Sequence, residues 1–455
     1  MQSVNPYTGE TIRTYPSESD EQVDQRIRAA DRAFRDWRQT PFAERARLMH
    51  SAAAVLRDRK RELADLMADE MGKVLRDGVS EIEKCASCCD FYANNAPAFL
   101  ANQHVDSDAA NSYVAFDPLG VILAVMPWNF PFWQVFRFAA PSLMAGNVAV
   151  LKHASNVSGC ALAIQEIFQQ AGFAQSVFGT LLVESARVEK IIHHPLVRAV
   201  TLTGSTPAGR SVAGIAGSEL KKTVLELGGS DAYVVLEDAD LGLAVRTCAQ
   251  SRLINAGQSC IAAKRFIVVS ALYGQFVQRY VEEFNAICCG DPKDGETDIG
   301  PLARHDLRDG VHGQVQKSVQ QGARLLAGGQ IPAGRSACYP ATVLADVKPG
   351  MAAFDEEIFG PVAAIIEAPG EQQAVALANQ SQYGLGAAVF TGDAARADRI
   401  ARDIEAGSVF VNAFVKSDAR LPFGGVKHSG YGRELSSFGI REFVNIKTVW
   451  HGAVS

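Results

Sequence analysis

The chain has 455 residues, 47% hydrophobic and 21% charged, which excludes a disordered or collagen-like protein. Its 44 basic and 50 acidic residues leave a net charge of −6, no electrostatic footprint for nucleic acid. Pro127, Asn129, Pro131, Arg137, Pro141 and Asn147 interrupt the most apolar stretch, 121–151. A spanning helix needs about 20 nearly unbroken apolar residues, so no membrane segment is expected. The polar stretch 1–20 has no signal-peptide core, and a cytoplasmic protein is expected.

Val23, Ile27, Ala30, Phe34 and Trp37 recur at steps of four and three. That spacing predicts an amphipathic helix, which Ser19 or Asp20 can cap. Pro41 ends the pattern, and a longer helical run is predicted over 43–71, where Arg59-Lys60-Arg61 reads as a solvated face. The nine cysteines are odd in number and irregularly spaced, which argues against a disulfide framework. Cys85-x-x-Cys88-Cys89 has no second Cys or His cluster beside it, so buried helix cysteines are expected and no metal. Segment 102–117 suits a projecting hairpin.

From 119 the texture changes. Strands are predicted over 119–125, 148–151, 179–183 and 198–203, and helices over 131–145, 156–170 and 207–216. Such alternation implies parallel βαβ units, the frame of a nucleotide-binding domain. A second series, with strands at 233–236, 265–269, 363–366, 386–390 and 409–412, implies a second α/β domain. Segment 443–450 alternates as a terminal strand. Either it or the 102–117 hairpin could be a plain edge or could pair with another subunit.

No Gly-x-Gly-x-x-Gly follows a strand, so the usual dinucleotide fingerprint is absent. Gly204-Ser205-Thr206-Pro207-Ala208-Gly209 opens a helix instead, where free N–H groups favour a phosphate, although a simple glycine turn reads equally well. Asn129 follows a strand, at the end of an α/β sheet where active sites lie, and its amide can stabilise an oxyanion. Glu226 stands between leucines ahead of Gly228-Gly229; such a carboxylate is either desolvated into a useful base or held in a buried ion pair. A lone Cys is usually inert core, but Cys260 follows Gly257 in a polar turn, where a thiolate could be exposed.

These segments, in their order and spacing, resemble the aldehyde dehydrogenase superfamily along nearly the whole chain. The resemblance also includes Glu357-Ile358-Phe359-Gly360-Pro361 and Pro422-Phe423-Gly424-Gly425. The run Leu151-Lys152-His153-Ala154-Ser155-Asn156-Val157 is similar to the NAD(P)-dependent succinate-semialdehyde dehydrogenase class. The resemblance implies an α/β, aldehyde dehydrogenase-like fold. A Rossmann-type cofactor domain would span 1–99 and 119–228, and an α/β catalytic domain 229–440. A small β oligomerisation element, 100–118 and 441–455, would serve a homodimer or homotetramer.

The same resemblance implies Cys260 as nucleophile, forming a thiohemiacetal and then a thioester. Asn129 and the Cys260 N–H would hold the oxyanion, and Glu226 would activate water to release a free acid. Lys152 and Glu357 would contact the riboses of NAD or NADP, Gly204 and Ser205 the pyrophosphate, and Trp128 and Phe359 the nicotinamide end. Many NAD-preferring members carry Glu where Ser155 stands, so NADP should be tolerated. Phe138 replaces a Lys that many members place near the proton path.

Arg137, two helical turns after Asn129 and among Phe132, Trp133, Phe136 and Phe138, needs a partner for its charge. Either a structural partner supplies it, or Arg137 binds the distal carboxylate of a short semialdehyde beside Trp133. The alternatives are a dehydrogenase for neutral or aromatic aldehydes and a non-catalytic structural protein on the same fold. A thiol protease is disfavoured, because no His lies in a recognisable partner motif for Cys260.

Overall fold

A computed structural model describes residues 1–452. The amphipathic pattern near the N-terminus forms α1 (Asp20–Trp37), with Ser19 and Gln22 closing a capping box. The predicted 43–71 run is two helices, α2 (Phe42–Asp58) and α3 (Lys60–Met71). Arg59 leaves helical geometry between them, so that Leu56 before the break and Leu63 after it both reach the core. Gly72, at φ +77°, ends α3 in the left-handed conformation, where an added Cβ would lie 2.7 Å from Pro301. The next helix, α4 (Leu75–Phe99), buries Cys85, Cys88 and Cys89 on its inner face.

The first sheet grows from β1 (Val121–Met126). There follow α5 (Trp133–Met144), β2 (Val148–His153), α6 (Ser158–Gln170), β3 (Phe178–Thr180), β4 (Val197–Thr203), α7 (Thr206–Ser218) and β5 (Lys222–Glu226). The strand order is β5-β4-β1-β2-β3, all parallel, so the first strand lies in the middle and the chain winds outward on both sides. That reversal opens a crevice beyond the carboxyl ends of β1 and β4.

The second sheet contains β6 (Ala232–Val235), β7 (Arg265–Val269), β8 (Thr342–Ala345), β9 (Val362–Ala368), β10 (Gly386–Phe390) and β11 (Ser408–Val411). Their order is β8-β9-β7-β6-β10-β11, with the antiparallel strand Arg324–Ala327 beside β8. Both faces are covered, so β6 sends Val234 into one core and Tyr233 and Val235 into another.

The expected catalytic unit 229–440 does not pack as one piece. Gly430 and Tyr431 pair antiparallel with Glu226 and Leu225 on the edge of the first sheet, and Phe423, Leu435 and Ile440 join that sheet's core. Unpaired β5 would leave backbone groups exposed, and this returning segment satisfies them. The predicted hairpin and terminal strand pair with each other: Val444–His451 lies antiparallel along Asn111–Pro118, and Gln103–His104 extends the sheet. Segments 100–118 and 441–452 thus form one element, and 453–455 lie outside the described residues. Ile446 and Trp450 of this sheet are exposed. Among the described residues no helix is long and apolar enough to cross a membrane.

Candidate active site

Cys260 sits on a short loop before β7, and the loop is wound in an unusual way. Asn255 and Ala256 adopt left-handed φ values of 52° and 54°, and Gly257 follows at 75°. Each non-glycine residue there costs about 1–3 kcal/mol. The turn is held by the buried Arg252, which donates to the Gly257 carbonyl, and by Gln258, which accepts from the Ala303 N–H at 2.9 Å. Only glycine fits at 257, because a Cβ would lie 2.2 Å from the Gly360 carbonyl oxygen. Lys264 donates to the carbonyls of Ser259 and Cys260, both at 2.7 Å. The Cys260 side chain is thereby set on the wall of a cavity of about 260 Å³. Its N–H has no hydrogen-bond partner among the described residues.

Burial pushes the Cys260 thiol up to about 12, against the downward pull of Lys264 and Arg137. The residue itself is partly exposed at the cavity. Desolvation there outweighs the neighbouring positive charges.

Asn129 lies in the loop between β1 and α5. Its Nδ2 donates to the Gln258 carbonyl at 3.0 Å, and its Oδ1 accepts from Gln134 Nε2 at 3.1 Å. These two bonds orient the amide, with one N–H left over. Its carbonyl accepts from Lys73 Nζ at 2.9 Å and from Asn255 Nδ2 at 2.7 Å, which ties it to the nucleophile loop. Lys73 in turn pairs with Glu81, both almost fully buried. Glu81 Oε1 accepts from the N–H groups of Phe132 and Trp133, each at 2.9 Å, and so caps the start of α5. None of Lys73, Glu81, Gln134 or Asn255 carried a sequence signal.

Glu226 ends β5. It is 1% exposed, and neither carboxyl oxygen has a hydrogen-bond partner. Burial, then the nearby Glu434, holds its proton affinity well above the usual carboxylate range, while Arg137 and Arg433 oppose this. Of the two sequence readings, the desolvated carboxyl is the one found. Neither Asn129 nor Glu226 is on the lining of the cavity, whereas Cys260, Trp133 and Arg137 are.

Arg137 has a structural partner. Its guanidinium forms a buried ion pair with Glu434, donates to Thr203 Oγ1 at 3.3 Å and lies 4.7 Å from the centre of the Phe423 ring. Of the two sequence readings of Arg137, the structural partner is present. The partner comes from the segment that returns to the first sheet, and no local pattern revealed it.

The residues expected at the cofactor gather along the crevice. Trp128 follows β1, Lys152 lies on β2, and Gly204 and Ser205 follow β4, so the carboxyl ends of three neighbouring strands converge. Ser205 caps α7, whose first turn leaves N–H groups for an anion. Lys152 is buried, yet its only hydrogen-bond partner among the described residues is Ser185 Oγ at 3.0 Å. Ser155 is exposed at the turn after β2. At the other end, Trp128 and Phe359 meet edge to face at 5.8 Å. Glu357 accepts from the Gly229 N–H at 3.0 Å, and a Cβ on Gly228 would lie 2.4 Å from it. A buried cation lacking an anion, a free helix start and a paired aromatic edge fit a dinucleotide.

The chain belongs to the aldehyde dehydrogenase family, whose sequence profile matches residues 1–449. It is 49% identical over 448 residues to a probable succinate-semialdehyde dehydrogenase [NADP(+)] of Synechocystis sp., covering 98% of this chain and 99% of the relative. It is 50% identical over 455 residues to a succinate-semialdehyde dehydrogenase [NADP(+)] of Mycobacterium avium, covering 99% and 96%. Among solved structures, succinic semialdehyde dehydrogenase from Streptococcus pyogenes in complex with NADP+ superimposes with a TM-score of 0.97 at 36% identity, covering 99% and 100%.

Arg137→Ala leaves Glu434 buried without its counter-charge. Breaking such a pair costs about 3–5 kcal/mol, so thermal unfolding of the variant should begin well below that of the parent. An unchanged melting curve would show that Glu434 is satisfied in another way.

Proposed function

We propose that this aldehyde dehydrogenase oxidises succinic semialdehyde, or a similar short semialdehyde, to the carboxylic acid with NADP or NAD. The observation that carries the chemistry is the cavity, at whose wall Cys260 stands with its own N–H unpaired and the oriented Asn129 amide tied to the same loop. Relatives at about half identity bear the succinate-semialdehyde name, which supports the substrate class. Arg137 adds positive potential at the cavity wall even though Glu434 takes up part of its charge, and Trp133 forms an apolar side.

In this reading Cys260 loses its proton as its sulfur adds to the aldehyde carbon. Glu226 is near enough for its charge to be felt at Cys260, and its raised proton affinity suits it as the acceptor. The Cys260 N–H and the free Asn129 N–H hold the resulting oxyanion; a single such donor contributes roughly 2.7–4 kcal/mol to the transition state. The nicotinamide, when bound, supplies the hydride acceptor that converts the adduct to a thioester. Once Glu226 has passed the cysteine proton on to solvent and is ionised again, it takes a proton from water as the water oxygen attacks the acyl carbon, and the Cys260 sulfur departs as a thiolate. Lys152, Glu357, Gly204 and Ser205 bind the cofactor, while Trp128 and Phe359 border its nicotinamide end. Ser155 offers no carboxylate to repel a 2′-phosphate.

A neutral or aromatic aldehyde is the second reading, favoured by Phe130, Phe414 and Phe423 on the cavity wall. Steady-state kinetics with succinic semialdehyde and butyraldehyde, each with NAD and NADP, decides between them. We place the enzyme in the cytosol, where nine unpaired cysteines persist. Assembly as a homodimer or homotetramer would cover Ile446 and Trp450.

Cys260→Ser should fold and oxidise no aldehyde, since a hydroxyl lacks the nucleophilicity of a thiolate; near-normal turnover would remove Cys260 from its role. Glu226→Gln should accumulate an acyl adduct visible by intact mass. Glu226 acts ionised and its pKa is raised, so hydrolysis should be low at acid pH and climb as pH passes through that raised value. The Gln variant should lose this limb; the same pH profile in both proteins would exclude Glu226 as the base. Ser155→Glu should shift the kcat/KM ratio towards NAD, and an unaltered ratio would place residue 155 away from the adenine ribose.

A further inference from the structure

Of the cationic side chains around the substrate cavity and the loop below it, three buried ones are already compensated. Lys73 pairs with Glu81, and Arg137 pairs with Glu434. Lys264 donates to two carbonyls and lies 3.7 Å from Glu357. Lys84, on the third turn of α4, is different. Its ammonium donates to Ser417 Oγ at 2.7 Å and sits 4.3 Å from the centre of the Trp133 ring. Among the described residues no carboxylate lies within ion-pair distance of it. A hydroxyl and an aromatic face leave a positive charge only partly satisfied.

We propose that Lys84 is the specificity-determining residue that receives the distal carboxylate of the substrate, a role resting on the semialdehyde reading above. Lys84, Trp133 and Ser417 line the same cavity as Cys260, so an aldehyde at the sulfur and a carboxylate at the ammonium can occupy one cavity. Trp133 flanks the ammonium and leaves it little freedom. Burial and the neighbouring Arg137 push Lys84 down to about 8, while Glu81, Cys85 and Cys88 oppose this. An arriving carboxylate would hold its proton in place. Asp77, two helical turns earlier on α4, also lines the cavity, but Lys73 and Arg76 are the cations that act on it. Lys416, the remaining cation of the lining, is exposed and offers a more hydrated charge. Lys84 is thus the charge in the cavity wall that is both desolvated and without a counter-ion.

The test uses the full chain with NADP, comparing the parent, Lys84→Met and Lys84→Arg on succinic semialdehyde and on butyraldehyde. A charged hydrogen bond contributes about 1.5–3 kcal/mol, which corresponds to roughly ten- to a hundredfold or slightly more. Lys84→Met should raise KM for succinic semialdehyde by that factor with a smaller change in kcat, and butyraldehyde should lose much less. Lys84→Arg should recover most of the difference, which a purely structural role would not. A parent that prefers succinic semialdehyde and a Lys84→Met variant that keeps the same preference would overturn the assignment of Lys84 and leave the semialdehyde reading standing. A parent with no preference would overturn both. Should Lys84→Met not fold, competitive inhibition by succinate against butyraldehyde in Lys84→Gln gives the same answer: weakening by tenfold or more supports the proposal, and unchanged inhibition defeats it.

Discussion

The buried Lys73–Glu81 pair is the interaction on which the geometry of the site depends. Glu81 caps α5 through two backbone N–H groups, and Lys73 holds the carbonyl of Asn129. That carbonyl is shared with Asn255, so the same contact reaches the nucleophile loop. A helix pair, the end of β1 and the loop carrying Cys260 are thereby joined through one buried network. Because every member is a polar group removed from water, losing one partner would leave another unsatisfied. The strained left-handed run 255–257 persists only because this network and Arg252 over-determine it.

Desolvation sets the chemistry of the groups held in this frame. Both Cys260 and Glu226 favour their protonated forms, since each is buried more effectively than its neighbours can offset. Glu434, also raised by burial, adds a second carboxyl to the cluster, and Arg137 is the cation between them. Phe138 packs edge to face on Phe443. Arg137 and Arg433 are the cations felt at Glu226.

Much of this was legible in the linear pattern. The 3.6-residue period at 23–37 and the alternation of strands and helices from 119 onward reflect burial on one face or two, which is a local property. Glu226 stood at a strand end, and Cys260 and Asn129 stood within three residues of a glycine or a proline, where turn chemistry marks them. Gly257 is required by a backbone contact, and glycine is the residue that betrays such contacts.

The sequence by itself determined the class of fold and the family, because these depend on residue type and short-range order. Only the tertiary structure decided which charges are compensated. Arg137 and Glu434 are 297 positions apart in the numbering, and a returning segment brings them together. The same folding pairs Lys73 with Glu81 and leaves Lys84 with a hydroxyl and a tryptophan face. Ion pairing and desolvation act through space over a few ångströms, so they are set by which elements meet and not by the order in which residues appear along the chain.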